Sequence, residues 1–371
     1  MTFIKQSILM SMLLFQVLLA GGKISSASED EVVRDTIVVH GMVLYGRVVG
    51  LGPERLSFRL NYATGVNHIK YEDIDSIHTK YNYHISYKRI DIEGRVVAIE
   101  DGKYLKVVDS EGHDRTIKIA DIDNFVMSVQ DDDSMENRIR NKFPYTKGSF
   151  NIGFEKENGN SKKDKIDVLI NGRYKKAESE IKFYFDYAYE TTETENSPKV
   201  QNKDELSTFL TYKYHYTNNA FYYGTIAAEY DKPRHIDNQY VPSVGYGYRF
   251  KFGKQRWIEP SFGLGYATVN YTDESYDNKR FAVAAANLFW KYQIDEVPWV
   301  KTLITDGFIL YYPSIEEFEK DWIMRGNLNF TVPLFDFFSV KLAFDFINDS
   351  NPDPDVGNNK TTTKLLFGVD F

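Results

Sequence analysis

Lys364-Leu365-Leu366-Phe367-Gly368-Val369-Asp370-Phe371 closes the chain. Leu365, Phe367, Val369 and Phe371 are apolar, and Lys364, Gly368 and Asp370 between them are charged or small. Successive side chains of a strand point to opposite faces of the sheet, so one face here is apolar and the other is not. An edge strand of a soluble sheet alternates in this way, and so does a strand of a membrane barrel. The rest of the chain decides between them.

The alternation recurs upstream. It predicts twelve strands, near 149–157, 164–175, 179–190, 204–216, 220–231, 239–252, 256–270, 279–292, 299–312, 320–333, 337–348 and 361–371. Each has about the ~9–11 residues that a tilted strand needs to cross a bilayer, or somewhat more. Their faces are sorted by charge. Ile181, Phe183, Phe185, Tyr187 and Tyr189 oppose Glu180, Lys182 and Asp186; Val244, Tyr246, Tyr248, Phe250 and Phe252 oppose Gly245, Gly247, Arg249 and Lys251. A cation at the lipid-facing midplane costs ~2–4 kcal/mol, which accounts for such sorting. The candidate lumen-lining residues are Lys182, Asp186, Lys213, Glu229, Arg249, Lys251, Glu259, Arg325, Lys341 and Asp345. With Lys364 added to the cations and Glu180 and Asp370 to the acids, the inward set holds seven cations against six carboxylates, a near balance that argues against a strongly ion-selective ring. Gly245, Gly247, Ser261, Gly263 and Gly265 leave room along one wall, or bend the barrel. Short connections such as Lys176-Ala177-Glu178 and Thr217-Asn218-Asn219 alternate with longer polar ones such as Thr191–Lys203. Short turns on the periplasmic side opposite long external loops is a barrel pattern. Trp257, Trp290 and Trp299 fall at the short-turn ends, as an interfacial girdle would.

Residues 35–128 carry an internal repeat. Gly46-Arg47-Val48-Val49 returns as Gly94-Arg95-Val96-Val97, and Asp73-Ile74-Asp75 as Asp121-Ile122-Asp123, both 48 residues on. Alternating segments broken by turns such as Glu100-Asp101-Gly102 predict a small β-meander per copy, of SH3-like or Sm-like form. The Asp-Ile-Asp repeat reads as a polar rim around one buried Ile rather than as catalytic carboxylates. His40, His68, His78, His84 and His113 have no metal-ligand spacing, and the chain has no Cys. The charged segment 129–147 reads as a linker.

Residues 1–27 read as a signal peptide: Lys5, an apolar run from Ile8 to Ala20, and Ser25-Ser26-Ala27 at the cleavage site. That run is too short to span a bilayer as a helix. With 45 basic and 53 acidic residues, net charge −8, a nucleic-acid partner is not expected. The 27 Tyr and 26 Phe favour strands and interfacial girdles. A mean hydropathy of −0.43 argues against a helical membrane protein but not against a barrel, whose alternate residues are polar.

Leu310–Phe318, the tract Tyr240–Phe252 with Glu259–Tyr266, and the closing Thr361–Phe371 resemble domain-of-unknown-function family 481, some of whose members are called salt-induced outer membrane proteins. The aromatic terminus likewise resembles the last strand of outer-membrane barrels, where Leu365, Phe367, Val369 and Phe371 would be read by the barrel-assembly machinery. The resemblance implies location and fold, and brings no activity, cofactor or site. The expectation is therefore an all-β protein: a periplasmic duplicated domain at 35–128 before an outer-membrane barrel at 148–371, bathed in outer-membrane lipid. No enzyme is expected, because His215 beside Thr211 and Ser207 comes with no GxSxG signature. The expected role is a porin-like channel or small-solute binder; the alternative is an anchor presenting the periplasmic domain to a protein partner.

Overall fold

The computed structural model describes residues 34–52, 54–62, 66–128, 143–157, 161–194, 197–253, 255–272, 277–297, 300–334, 338–350 and 359–370. The signal segment 1–27, most of the linker, Trp299 and Phe371 lie outside the described residues.

The repeat folds twice in the same way. The first copy holds β1 (Asp35–Val39), β2 (Met42–Leu51), β3 (Arg55–Leu60), β4 (Val66–Lys70) and β5 (Ile74–His78). The second holds β6 (Tyr83–Tyr87), β7 (Ile90–Glu100), β8 (Tyr104–Asp109), β9 (Asp114–Lys118) and β10 (Ile122–Met127). Each forms a five-stranded antiparallel sheet, ordered β4-β3-β2-β1-β5 and β9-β8-β7-β6-β10, with a 3-10 turn before the last strand. That order and that turn suit the SH3-like and the Sm-like form alike. A lone small sheet is marginal, and the copies share one core. Ile37, Leu56, Phe58 and Ile77 of the first pack in one cluster with Tyr83, Ile85, Leu105 and Ile117 of the second. Ile74 and Ile122, the centres of the two Asp-Ile-Asp motifs, are buried in it.

The barrel strands are β11 (Thr146–Glu157), β12 (Ser161–Lys176), β13 (Ser179–Thr194), β14 (Ser197–His215), β15 (Ala220–Asp231), β16 (Ile236–Tyr248) with its continuation β17 (Phe250–Lys251), β18 (Arg256–Tyr271), β19 (Lys279–Val297), β20 (Val300–Pro313), β21 (Trp322–Pro333), β22 (Phe338–Asp349) and β23 (Asn359–Asp370). Neighbours in sequence pair antiparallel, and β23 returns to β11 through Ser149↔Asp370 to Ile152↔Phe367. With β17 counted as part of β16, this is a closed twelve-stranded barrel. Every barrel strand but the short β17 is paired on both sides, which removes the edge that a flat sheet would expose.

The outer wall is apolar: Val244, Phe262, Leu264, Leu365 and Phe367 are among its most exposed residues. Two expectations are corrected here. Thr191–Lys203 is mainly strand rather than loop, because β13 and β14 stay paired out to Thr194↔Ser197. Trp257 is no girdle residue: it shares the inward register of Glu259, and the ammonium of Lys182 and the guanidinium of Arg249 lie 4.8 and 5.0 Å from its ring centroid.

The domain sits against the end of the barrel where the β12–β13 and β14–β15 turns lie. Asp91 accepts from the backbone N–H of Ala177 at 2.8 Å, Arg89 donates to the Tyr216 carbonyl at 3.0 Å, and Glu54 pairs with Arg256 at 3.1 Å. A cleft of about 550 Å³ remains at the seam between β3–β4 and the β19–β20 turn.

Candidate functional site: a barrel interior sorted along its axis

Four successive inward residues of β13, Glu180, Lys182, Tyr184 and Asp186, sample three layers of the interior. Nearest the domain is a charge cluster. Glu180 and Glu259 are fully buried. Arg249 bridges them, donating to Glu259 through Nε at 2.6 Å and to Glu180 through Nη2 at 2.9 and 3.1 Å. Arg173 adds a bidentate contact to Glu180 at 2.9 and 3.3 Å, and His215 Nε2 lies 2.9 Å from the same carboxylate. Lys182 and Lys213 both donate to Glu259 Oε1. Charge-assisted bonds of this kind are what a buried ion needs to offset its lost hydration.

Above it lies an aromatic layer. Tyr184 stacks on Phe209 with centroids 5.2 Å apart, and Phe308 stands edge-on to both at 5.0 and 5.1 Å. Phe289 completes the layer at 5.8 Å from Phe209, and presents its face to the ammonium groups of Lys182 and Lys213 at 4.6 and 5.0 Å. Beyond the aromatics is a second polar network. Lys364 donates to both oxygens of Asp186 at 2.7 Å and lies 3.4 Å from Asp345. Glu229 pairs with Arg325 and with Arg234, and Lys360 with Asp231 and Glu205. A void of about 40 Å³ remains among these side chains, room for about one water.

Of the candidate lumen residues, Lys182, Lys213, Arg249 and Glu259 meet in the first cluster, and Asp186, Glu229, Arg325 and Asp345 in the second. Lys341 stands apart and donates to Ser149 at 3.2 Å. Lys251 lies at the rim, 3.7 Å from Asp123 of the domain. Sequence reasoning missed the aromatic layer, because inward Phe cannot be told by type from lipid-facing Phe. It also missed what two of the glycines, Gly247 and Gly263, make room for. A Cβ on Gly247 would overlap the Phe221 ring, and one on Gly263 would lie 2.7 Å from the Tyr223 hydroxyl. The space they leave is filled by these two β15 side chains.

Among the described residues, the hydroxyls of Thr211 and Ser207 beside His215 have other partners. Thr211 bonds Thr225 at 2.8 Å, and Ser207 accepts from Arg325 at 3.4 Å. Among the described residues, Asp109, Glu111 and His113 could together hold a metal ion, but Asp109 is already occupied by the backbone N–H groups of Glu111 and His113 and by Arg115.

No curated protein matches the chain. Similar solved structures include the NanC porin, at 11% identity with a TM-score of 0.33, covering 61% of this chain and 98% of that one. The translocator domain of the autotransporter NalP from Neisseria meningitidis matches at 10% identity and a TM-score of 0.33, covering 61% and 86%. The beta domain of the Bordetella autotransporter Brka matches at 7% identity and a TM-score of 0.30, covering 61% and 99%. The family model described as "Protein of unknown function, DUF481" matches residues 150–371, more than half of the sequence, and the chain belongs to that family.

Proposed function

We propose that this protein is an outer-membrane anchor, a barrel closed by its own side chains that holds the duplicated domain on the periplasmic face for a protein partner. One observation carries the reading: paired charges, an aromatic layer and a second ion-pair network follow one another along the interior, leaving about 40 Å³ in the outermost of the three. Twelve strands lie between small barrels filled by side chains and the sixteen or more that leave an aqueous channel. The packed interior favours the filled class. In this reading residues 1–27 direct export, and the barrel-assembly machinery reads the β23 end. The domain side faces the periplasm, and no chemistry is performed.

A porin-like channel needs these layers to part. The test is conductance of the purified full chain in planar bilayers. A quiet bilayer, with the barrel folded by heat-modifiable gel migration, is the expected result; steady single-channel steps from the unmodified chain would overturn the anchor reading.

A further inference from the structure

The interior cations are not matched by wall carboxylates equally at both ends. Arg173, Lys175, Lys182, Lys213, Arg249 and Lys251 gather at the end beside the domain, where the wall answers them with Glu180 and Glu259. A third carboxylate comes from outside the barrel. Asp123, in the second copy of the repeat, reaches into the mouth, pairs with Lys175, and lies 3.7 Å from Lys251. Lys147 Nζ donates to its backbone carbonyl at 3.2 Å.

The repeat provides an internal control. Asp75 is the counterpart of Asp123 in the first copy; it is exposed and accepts the backbone N–H of Gly41 at 2.8 Å, closing its own β1–β2 hairpin. Asp123 makes its ion pairs with barrel lysines instead. Burial by itself would raise the Asp123 carboxyl. The surrounding Lys175, Lys251, Arg173 and Arg249 outweigh burial and hold it well below the usual carboxylate range.

We propose that the domain-side mouth of the barrel is an oxyanion-binding site whose resident ligand is Asp123, and that a free carboxylate or phosphate takes its place when that side chain leaves. The second copy is then a lid whose seal is one carboxylate in a cationic socket. The proposal is independent of the anchor reading: a conducting barrel leaves it standing, and a silent one does not prove it.

The experiment is calorimetric titration of the full chain in detergent micelles with citrate and, separately, with inorganic phosphate. Asp123→Ala is expected to bind at least one of them tenfold or more tighter than the parent, and Asp123→Asn to behave alike. Tighter citrate assigns the site to carboxylates, tighter phosphate to phosphates. Asp75→Ala makes the same change in net charge away from the mouth and is expected to match the parent. Asp123→Ala/Lys175→Gln/Lys251→Gln is expected to lose the gain. Heat-modifiable migration shows that each barrel is folded. Equal binding by the parent and Asp123→Ala, or none by either, overturns the proposal. So does a lysine-substituted variant that binds as well as Asp123→Ala, since the ion is then adventitious.

Discussion

Tyr83 donates its hydroxyl to Asp35 at 2.6 Å, and the two residues hold the same position in the two copies of the repeat, 48 residues apart. The same hydroxyl is 3.0 Å from the Val48 carbonyl, while Asp35 accepts the backbone N–H groups of Val48 at 2.9 Å and Lys80 at 3.0 Å. A duplicated sequence would place two like side chains at this point. Their divergence into a donor and an acceptor makes the junction between copies a hydrogen bond buried in the shared core.

Tyr83→Phe removes the shortest of these bonds and leaves a buried carboxylate under-partnered, at a cost of about 1–3 kcal/mol. The pH dependence has a definite sign. Burial raises the Asp35 carboxyl above its ordinary value of 3.8, against the lowering effect of its hydrogen bonds. The folded domain therefore holds the proton more tightly than the unfolded one, and its stability falls as pH rises from about 4 through the raised value. Protection of the Val48 amide, taken at each pH as the ratio of its unstructured to its measured exchange rate and followed by mass spectrometry in the full chain, is expected to fall across that window in the parent. The dependence should flatten in Asp35→Asn.

Gly247 and Phe221 make a second test. A Cβ at Gly247 would overlap the ring, so Gly247→Ala overpacks the wall, and overpacking costs about 1–3 kcal/mol. The urea midpoint of the folded barrel, read by gel migration, should drop. Adding Phe221→Leu, which shortens the side chain that collides, should restore part of the loss. A Gly247→Ala barrel as stable as the parent would mean that the glycine serves only to bend the strand.

What period-two patterning encodes sets how much of the barrel is legible in the sequence. It gives the face of each residue, so Lys182 and Glu259 read as inward-facing from the alternation alone. It does not give the axial level at which distant strands meet. Lys182 and Glu259 are 77 residues apart and touch at 3.0 Å only because the stagger of the strands sets β13 and β18 at one height. The balance of inward charge is legible for that reason, whereas its separation into a cationic mouth and a distal acid–base network is not. The 48-residue repeat is legible as well. The reach of Asp123 into the barrel is not, since its twin Asp75 follows the same Asp-Ile pair and has only a local role.

Glu259 holds the domain-side cluster together, accepting from Arg249, Lys182 and Lys213. Glu259→Gln keeps the shape and removes the charge, leaving three cations facing one another with Glu180 as the remaining partner. Removing one member of a buried ion pair costs about 3–5 kcal/mol. The barrel should unfold at lower urea, and a second change, Lys213→Met, should recover part of the loss by removing a cation that has lost its partner. Double-mutant coupling near zero between the two sites would show that the pair is not formed in the membrane.

The outer wall carries the wager on lipid. Leu264 lies midway along β18, opposite Val244 and Ala284, and is 62% exposed. Were that face wetted by water, Leu264→Arg would be neutral or would improve solubility, since an exposed leucine gains nothing there. In a bilayer the same change sets a cation in the hydrocarbon core and costs ~2–4 kcal/mol. Folding of the full chain into lipid vesicles, measured against urea, should therefore shift by that amount for Leu264→Arg and scarcely for Leu264→Phe. An arginine tolerated at Leu264 in vesicles would take the membrane away from this barrel and leave a soluble cylinder with an apolar coat.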